Sequence, residues 1–235
     1  MRKTGFTLIE CLMGLALSLL VAAAGFELFA RARTVFSRLK AREESAQAAL
    51  AALDRMRIDL LHAGEGLAVE VGLRLVAAAE ALPGELRTVS LEKPLVLAAE
   101  AAAGDETIAL ASTSDIAAGQ AIVLRDGAAG EVRTALRVEP GAVALDAPLG
   151  RGYAPAVTAV SLLETVSFRF DPAARVLRRR VNASPAQPLF EGAAADWTLD
   201  ASSPLVRLRL ELDMEGAPAH EATVFLKNVA LAGRL

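Results

Sequence analysis

The sequence predicts an α+β protein: a long N-terminal α-helix packed on a C-terminal antiparallel β-sheet head. Three observations predict it. An apolar stretch of 21 residues runs from Phe6 to Phe26 and is broken by one charge, Glu10. Residues 31–61 contain no glycine or proline and repeat apolar side chains at three- and four-residue steps. Beyond Gly64 the period falls to two. Val166, Phe168 and Phe170 alternate with Ser167, Arg169 and Asp171, and Val206, Leu208, Leu210 and Leu212 alternate with Arg207, Arg209, Glu211 and Asp213. Steps of three and four put side chains on one helix face, and a step of two puts them on one sheet face.

Each element can be justified in order. Cys11–Phe26 is free of charge, and a helix over Phe6–Phe26 rises about 1.5 Å per residue, enough to cross a ~30 Å hydrocarbon core. A secretory signal has a shorter apolar region, so Ala22-Ala23-Ala24 is not read as its cleavage site. Gly14 and Gly25 form no Gly-x-x-x-Gly pair, and Cys11 reads as a small apolar residue of the helix. Val35, Leu39, Ala46, Leu50, Leu53, Met56 and Leu60 then form an amphipathic stripe, with Arg42, Glu43, Glu44, Asp54 and Arg55 on the wet face. Gly64 is the helix stop, with His62 in the last turn. The predicted helix, Phe6–Ala63, is roughly 87 Å long at the standard rise.

The head, 64–235, is expected to carry an insertion around 67–150. Its alanine-rich start is read as a short helix over 75–82. Strand candidates are Arg87–Leu91, Thr107–Ala111, Ala121–Leu124, Glu131–Val138 and Ala142–Leu145. Asp126-Gly127, Pro140-Gly141 and Gly150–Gly152 punctuate them as turns. Asp171-Pro172 followed by Leu177 reads as a hairpin, and Val224 and Leu226 begin a final strand.

Composition excludes several function classes. Hydrophobic residues make up 54% and charged residues 23% of the 235, so the chain buries a core and is not disordered. Twenty-five basic against 28 acidic residues, a net charge of -3, argue against a protein that coats nucleic acid. One cysteine excludes a disulfide framework, and two histidines, His62 and His220, leave little for metal or triad chemistry. No phosphate-cradling glycine loop or nucleophile elbow occurs. The acidic pairs Asp105/Glu106, Asp126/Glu131 and Asp196/Asp200 lack EF-hand spacing. The expectation is therefore no enzyme, no cofactor and no metal. Arg175, Arg178, Arg179 and Arg180 are the densest basic cluster. They read as solvated strand arginines or, alternatively, as contacts to the phosphates of DNA. The single Tyr153 and single Trp197 provide no ladder for stacking bases. Trp197 reads as a core-edge residue and His220 as exposed.

The first residues, Arg2-Lys3-Thr4-Gly5-Phe6-Thr7-Leu8-Ile9-Glu10, resemble the class III signal of type IV prepilins and type II secretion pseudopilins: a basic leader, a Gly-Phe junction, a glutamate five residues further on and an apolar helix. The resemblance implies a leader over 1–5, cleavage after Gly5 by a prepilin peptidase and N-methylation of Phe6. It further implies a helix over 6–30 in membrane or filament core, an amphipathic continuation over 31–63, and a role for Glu10 in pairing with the terminal amine of a neighbouring subunit. Further on, Glu164–Phe170, Leu177-Arg178-Arg179 and Pro188-Leu189-Phe190-Glu191-Gly192 are similar to the recurrent pattern of large minor pilins of the PilW type and minor pseudopilins of the GspJ type, as is the segment 105–125. That family implies a structural subunit that assembles with other minor subunits and the major pilin, anchored in a bacterial inner membrane with its head outside the cytoplasm. Counting charges gives the opposite orientation, because Arg31, Arg33, Arg38, Lys40 and Arg42 follow the apolar run. Long domains translocate largely regardless of charge, so the orientation implied by the resemblance is the expectation. The alternative is a membrane-anchored binding module, an adhesin or DNA-uptake receptor.

Overall fold

The computed structural model describes residues 7–199, 204–212 and 219–233. It has two compact units, Met1–Gln47 and Ala48–Leu235. One helix, α1 (Leu8–His62), runs through both. In the first unit every residue from Leu8 to Glu44 is exposed. Its most apolar window has a mean hydropathy of 2.1, so α1 is long and apolar enough to cross a membrane.

In the second unit the last turns of α1 bury Ala49, Ala52, Leu53, Met56, Asp59 and Leu60. This corrects the predicted stripe in two places. Val35 and Leu39 are exposed and belong to the first unit, which has no sheet of its own. Leu50 is 54% exposed, while Ala49 and Ala52 are buried at 0% and 1%. Each residue turns the helix by about 100°, so Leu50 falls off the line formed by 49, 52, 53, 56 and 60. The helix stops as expected. Gly64 adopts φ +74° and its N–H donates to the Val89 carbonyl at 2.7 Å, a backbone geometry that favours glycine.

The chain then makes a short helix, α2 (Ala68–Gly72), and the strands β1 (Ala79–Leu82) and β2 (Glu85–Leu95). The predicted helix over 75–82 is therefore wrong. Pro83-Gly84 turns the chain so that Ala79–Leu82 pairs with Glu85–Thr88, and that pairing overrides the helix preference of alanine. The strands β3 (Thr107–Ala109), β4 (Ala121–Asp126), β5 (Ala129–Glu139), β6 (Ala142–Leu145), β7 (Thr158–Asp171), β8 (Val176–Val181) and β9 (Gln187–Glu191) complete the large sheet. Its order is β1-β2-β7-β4-β5-β6-β3, with β8 and β9 joined beside β7. The expected turns at Asp126-Gly127 and Pro140-Gly141 link β4 to β5 and β5 to β6, and the hairpin after Asp171 links β7 to β8. A second sheet contains β10 (Ala193–Leu199), β11 (Leu205–Leu212) and β12 (His220–Phe225). The final strand begins at His220 instead of the expected Val224 and ends at Phe225, and the residues beyond form α3 (Lys227–Ala232). All strand pairs are antiparallel, as predicted.

β7 is the spine. β2 runs along one edge, while the other edge is shared: residues 158–163 pair with β4 and residues 166–171 pair with β8. One core holds Met56 and Leu60 of α1 with Leu86, Val166, Phe168, Leu177, Trp197 and Val206. A second, from Leu97 to Leu162, is built on Ile122, Leu124, Val143 and Tyr153. The segment 67–150 contributes β1–β6 to the one large sheet, and within it the second core begins near Leu97. A third small core lies on the opposite face of β7, where Leu67 and Val76 cover Val123 and Leu163.

Candidate functional site

Gly5 and Phe6, the residues of the implied cleavage, lie outside the described residues. Glu10 lies in the first turn of α1 and is exposed. The Thr7 N–H and hydroxyl both donate to Glu10 Oε2 at 2.9 Å, and the Glu10 N–H donates to Thr7 Oγ1 at 3.4 Å. This is a reciprocal capping box: the threonine and glutamate each satisfy a backbone donor that the first turn leaves unpaired. The sequence carried that signal as Thr7-Leu8-Ile9-Glu10, threonine followed three residues later by glutamate, and the family reading of Glu10 passed over it. Glu27 pairs with Arg31 one turn on, just where the apolar run ends.

The arginine cluster is divided by the sheet. Arg179 stands opposite Phe168 on the face under α1. Its Nε donates to Asp59 Oδ2 at 2.7 Å and an Nη donates to Oδ1 at 3.0 Å. Asp59 is 8% exposed and also lies 3.3 Å from Arg55. Two parallel bonds to a buried carboxylate fix α1 against β8. Arg178 and Arg180 alternate onto the other face, opposite Arg169 and Ser167. Arg175 sits in the hairpin turn with φ +54°. The four residues therefore do not form one surface.

On that other face Ser167, Arg169, Arg178 and Arg180 line a groove of about 460 Å³, with Glu85 and Asp171 at its rim. The backbone N–H of Ala174, and then that of Ala173, hold the Asp171 carboxyl below its ordinary range, aided by Arg178 and Arg169. Glu85 lies 3.3 Å from Arg87.

A third polar cluster lies in the separately cored region. The Tyr153 hydroxyl donates to Glu131 Oε1 at 2.9 Å, and the Gly150 N–H donates to both Glu131 oxygens at 3.0 and 3.1 Å. Arg133 pairs with the same carboxylate and donates to the Pro148 carbonyl at 2.9 Å. Burial, then the bond to Glu131, pushes the Tyr153 phenol above its usual pKa. This network ties the 146–153 loop to β5. It also occupies Glu131, one of the candidate calcium carboxylates, while Asp200 lies outside the described residues. Among the described residues no group of three histidine, cysteine or acidic side chains is placed to hold a metal.

Trp197 is buried at 9% in the core under α1, as its reading requires. His62 lies at the exposed helix end, 3.7 Å from Glu65. His220 differs from expectation: it stands in β12 opposite Leu210, only partly exposed, with Nε2 buried and unpartnered. Alternation along β12 puts His220 on the same inward face as Ala222 and Val224, with Glu221, Thr223 and Phe225 outward.

No protein-family model matches the chain, and no curated protein matches it. Among solved structures, it aligns with the tailspike of Pseudomonas phage phi297 at 17% identity and a TM-score of 0.28, over 32% of this chain and 14% of that one. The tailspike of Pseudomonas phage LKA1 aligns at 23% identity and a TM-score of 0.27, over 31% and 15%. The tailspike of Acinetobacter baumannii phage AP22, solved with a capsular saccharide, aligns at 14% identity and a TM-score of 0.28, over 33% and 15%. The chain thus spans about a seventh of these tailspikes, a likeness too slight to bear on fold or function.

Proposed function

We propose that the chain is a membrane-anchored structural subunit of a type IV filament machine, a minor pilin or pseudopilin that acts in assembly and not as an enzyme. In this reading a prepilin peptidase cuts after Gly5, Phe6 becomes the methylated N-terminus, and the residue 6–30 helix anchors the chain in the bacterial inner membrane. The head then lies in the periplasm or outside the cell, and the subunit joins other minor subunits and the major pilin. The observation that carries the reading is one uninterrupted helix, Leu8–His62. It is apolar and exposed over its first half, and its last turns are core residues of a β-rich unit. A soluble domain has no use for sixteen consecutive exposed, uncharged and mostly apolar residues, Cys11–Phe26. The prepilin-like residues before that helix support it.

Glu10 provides the test. Glutamine in the same place can still cap the helix but carries no charge. The expected outcome is that Glu10→Ala and Glu10→Gln are both inserted and cut, and that both fail to co-purify with partner subunits. Normal co-purification and piliation or secretion with Glu10→Gln would reduce Glu10 to a helix cap. Gly5→Val is expected to leave an uncut precursor by intact mass, and a mature Phe6 terminus in that variant would overturn the assignment.

The DNA-receptor reading loses support, because Arg179 is bonded to Asp59 and Arg178 and Arg180 point to the opposite face.

A further inference from the structure

One face of the large sheet is covered at one end and bare at the other. By register, Val123 and Arg125 of β4, Leu163, Ser167 and Arg169 of β7, and Arg178 and Arg180 of β8 all alternate onto it. Over β4 the face is covered by the segment around α2. Leu67 and Val76 lie on Val123 and Leu163, and Glu70 accepts a bond from Arg125 Nε at 2.8 Å. The same pattern occurs beneath α1, where apolar side chains cover the sheet and Asp59 accepts from Arg179. The segment around α2 and the end of α1 thus each bring apolar residues and one carboxylate to a sheet arginine.

At the bare end Arg169, Arg178 and Arg180 outnumber the carboxylates beside them, Asp171, whose pKa Arg178 and Arg169 help to lower, and Glu85, which stands opposite Arg169. Among the described residues none of the three makes an ion pair or a side-chain hydrogen bond. Glu85 pairs with Arg87, and Asp171 accepts from two backbone N–H groups, so neither carboxylate makes an ion pair with the three arginines. Arg169 also stands directly opposite Arg178. Like charges directly opposite on an antiparallel pair are destabilising, so a further anionic group brought to this pair would relieve repulsion that Asp171 and Glu85 offset in part.

We propose that the groove lined by Arg169, Arg178, Arg180 and Ser167 is a docking site for a segment of a partner protein that carries carboxylates spaced two residues apart among apolar side chains. Arg178 and Arg180 are two residues apart on one strand, about 6.6–6.8 Å. An extended partner segment presents alternate side chains with that same spacing. The groove is partly apolar, with Pro172 and Ala186 beside the arginines. Apolar lining beside the arginines suits the side chains of a peptide better than a continuous phosphate backbone. This inference does not depend on what the N-terminal helix does.

The full chain in detergent micelles can be titrated with three probes while the arginine side-chain Nε–H signals are followed by NMR. The probes are a short peptide of alternating glutamate and valine, its glutamine counterpart, and an oligothymidylate of equal charge. The expected result is that the Arg169, Arg178 and Arg180 signals shift and saturate with the glutamate peptide, at least ten-fold more tightly than with the glutamine peptide. Arg125 and Arg179, already paired, stay still. Arg178→Gln with Arg180→Gln should weaken binding at least ten-fold, and Arg137→Gln, an exposed arginine elsewhere, should not. Equal response to the two peptides, equal shifts at Arg137, or tighter binding of the oligothymidylate would each overturn the proposal. So would unchanged binding in the folded double variant, with folding judged by the Trp197 emission.

Discussion

The two parts of α1 are one secondary structure in two environments. From Cys11 to Phe26 apolar side chains are exposed all around the helix, with Leu17 and Leu20 at 67% and 69%. From Ala49 to Leu60 only one stripe is apolar and buried, and the opposite side carries Asp54, Arg55 and Arg57. Helix formation depends on local propensity and is common to both. What differs is the pattern around the axis. An all-round apolar surface suits a nonpolar medium, and a stripe suits a single packing partner. The second part adds a buried ion pair, which the first could not tolerate without a partner.

The largest break expected in that comparison is Asp59→Ala. Removing one member of a buried pair leaves Arg179 desolvated and uncompensated, a loss of about 3–5 kcal/mol of head stability. Denaturant melts followed through Trp197 would measure it, and a loss under about 1 kcal/mol would mean that the pair is effectively solvated. Next, Met56→Ala should cost about 2–5 kcal/mol by leaving a cavity under the helix. Leu15→Ala, in the first part, should leave the same melt unchanged. Equal effects of the two would erase the distinction between the two parts. Leu17→Arg should act the opposite way, raising the cost of membrane insertion by about 2.5–3.5 kcal/mol while the head melts as before. A glycosylation-mapped insertion assay checks this, and undiminished insertion would argue against residues 6–30 as the membrane element.

The smallest effect sharpens the comparison with the separately cored region, where a phenol joins the Glu131–Arg133 ion pair in holding an element down. Tyr153 has its pKa raised in the folded state above the ordinary 10.0. The folded state therefore holds that proton more tightly than the unfolded state does. The resulting stability is complete below about pH 10 and is lost as the pH rises beyond it. Tyr153→Phe should be less stable at neutral pH and should flatten the alkaline decline. A wild-type melting curve with no added loss above pH 10 would contradict this.

Helix α1, its stop at Gly64 and the strands from Val166 to Asp171 and from Val206 onward were legible because period and punctuation are local properties. The capping box at Thr7 and Glu10 was equally local. β1, β9 and β10 were not legible, since Ala79–Leu82, Gln187–Glu191 and Ala193–Leu199 show no strong alternation and become strands through their neighbours. Nor could spacing choose Ala49 and Ala52 over Leu50, because the position of the stripe depends on where the sheet lies.

The sequence by itself determined the apolar length of α1, the change of period after Gly64 and the absence of a multi-cysteine framework. Each follows from the order of residue types along the chain, through rise per residue and side-chain direction. Only the tertiary structure decided that Arg179 belongs to Asp59, 120 residues away, and that Arg178 and Arg180 share the opposite face with Arg169. Strand alternation separates neighbouring arginines, but which face is covered, and by which carboxylate, depends on contacts between elements far apart in sequence. Those contacts form where burial and charge pairing together outweigh the cost of desolvation.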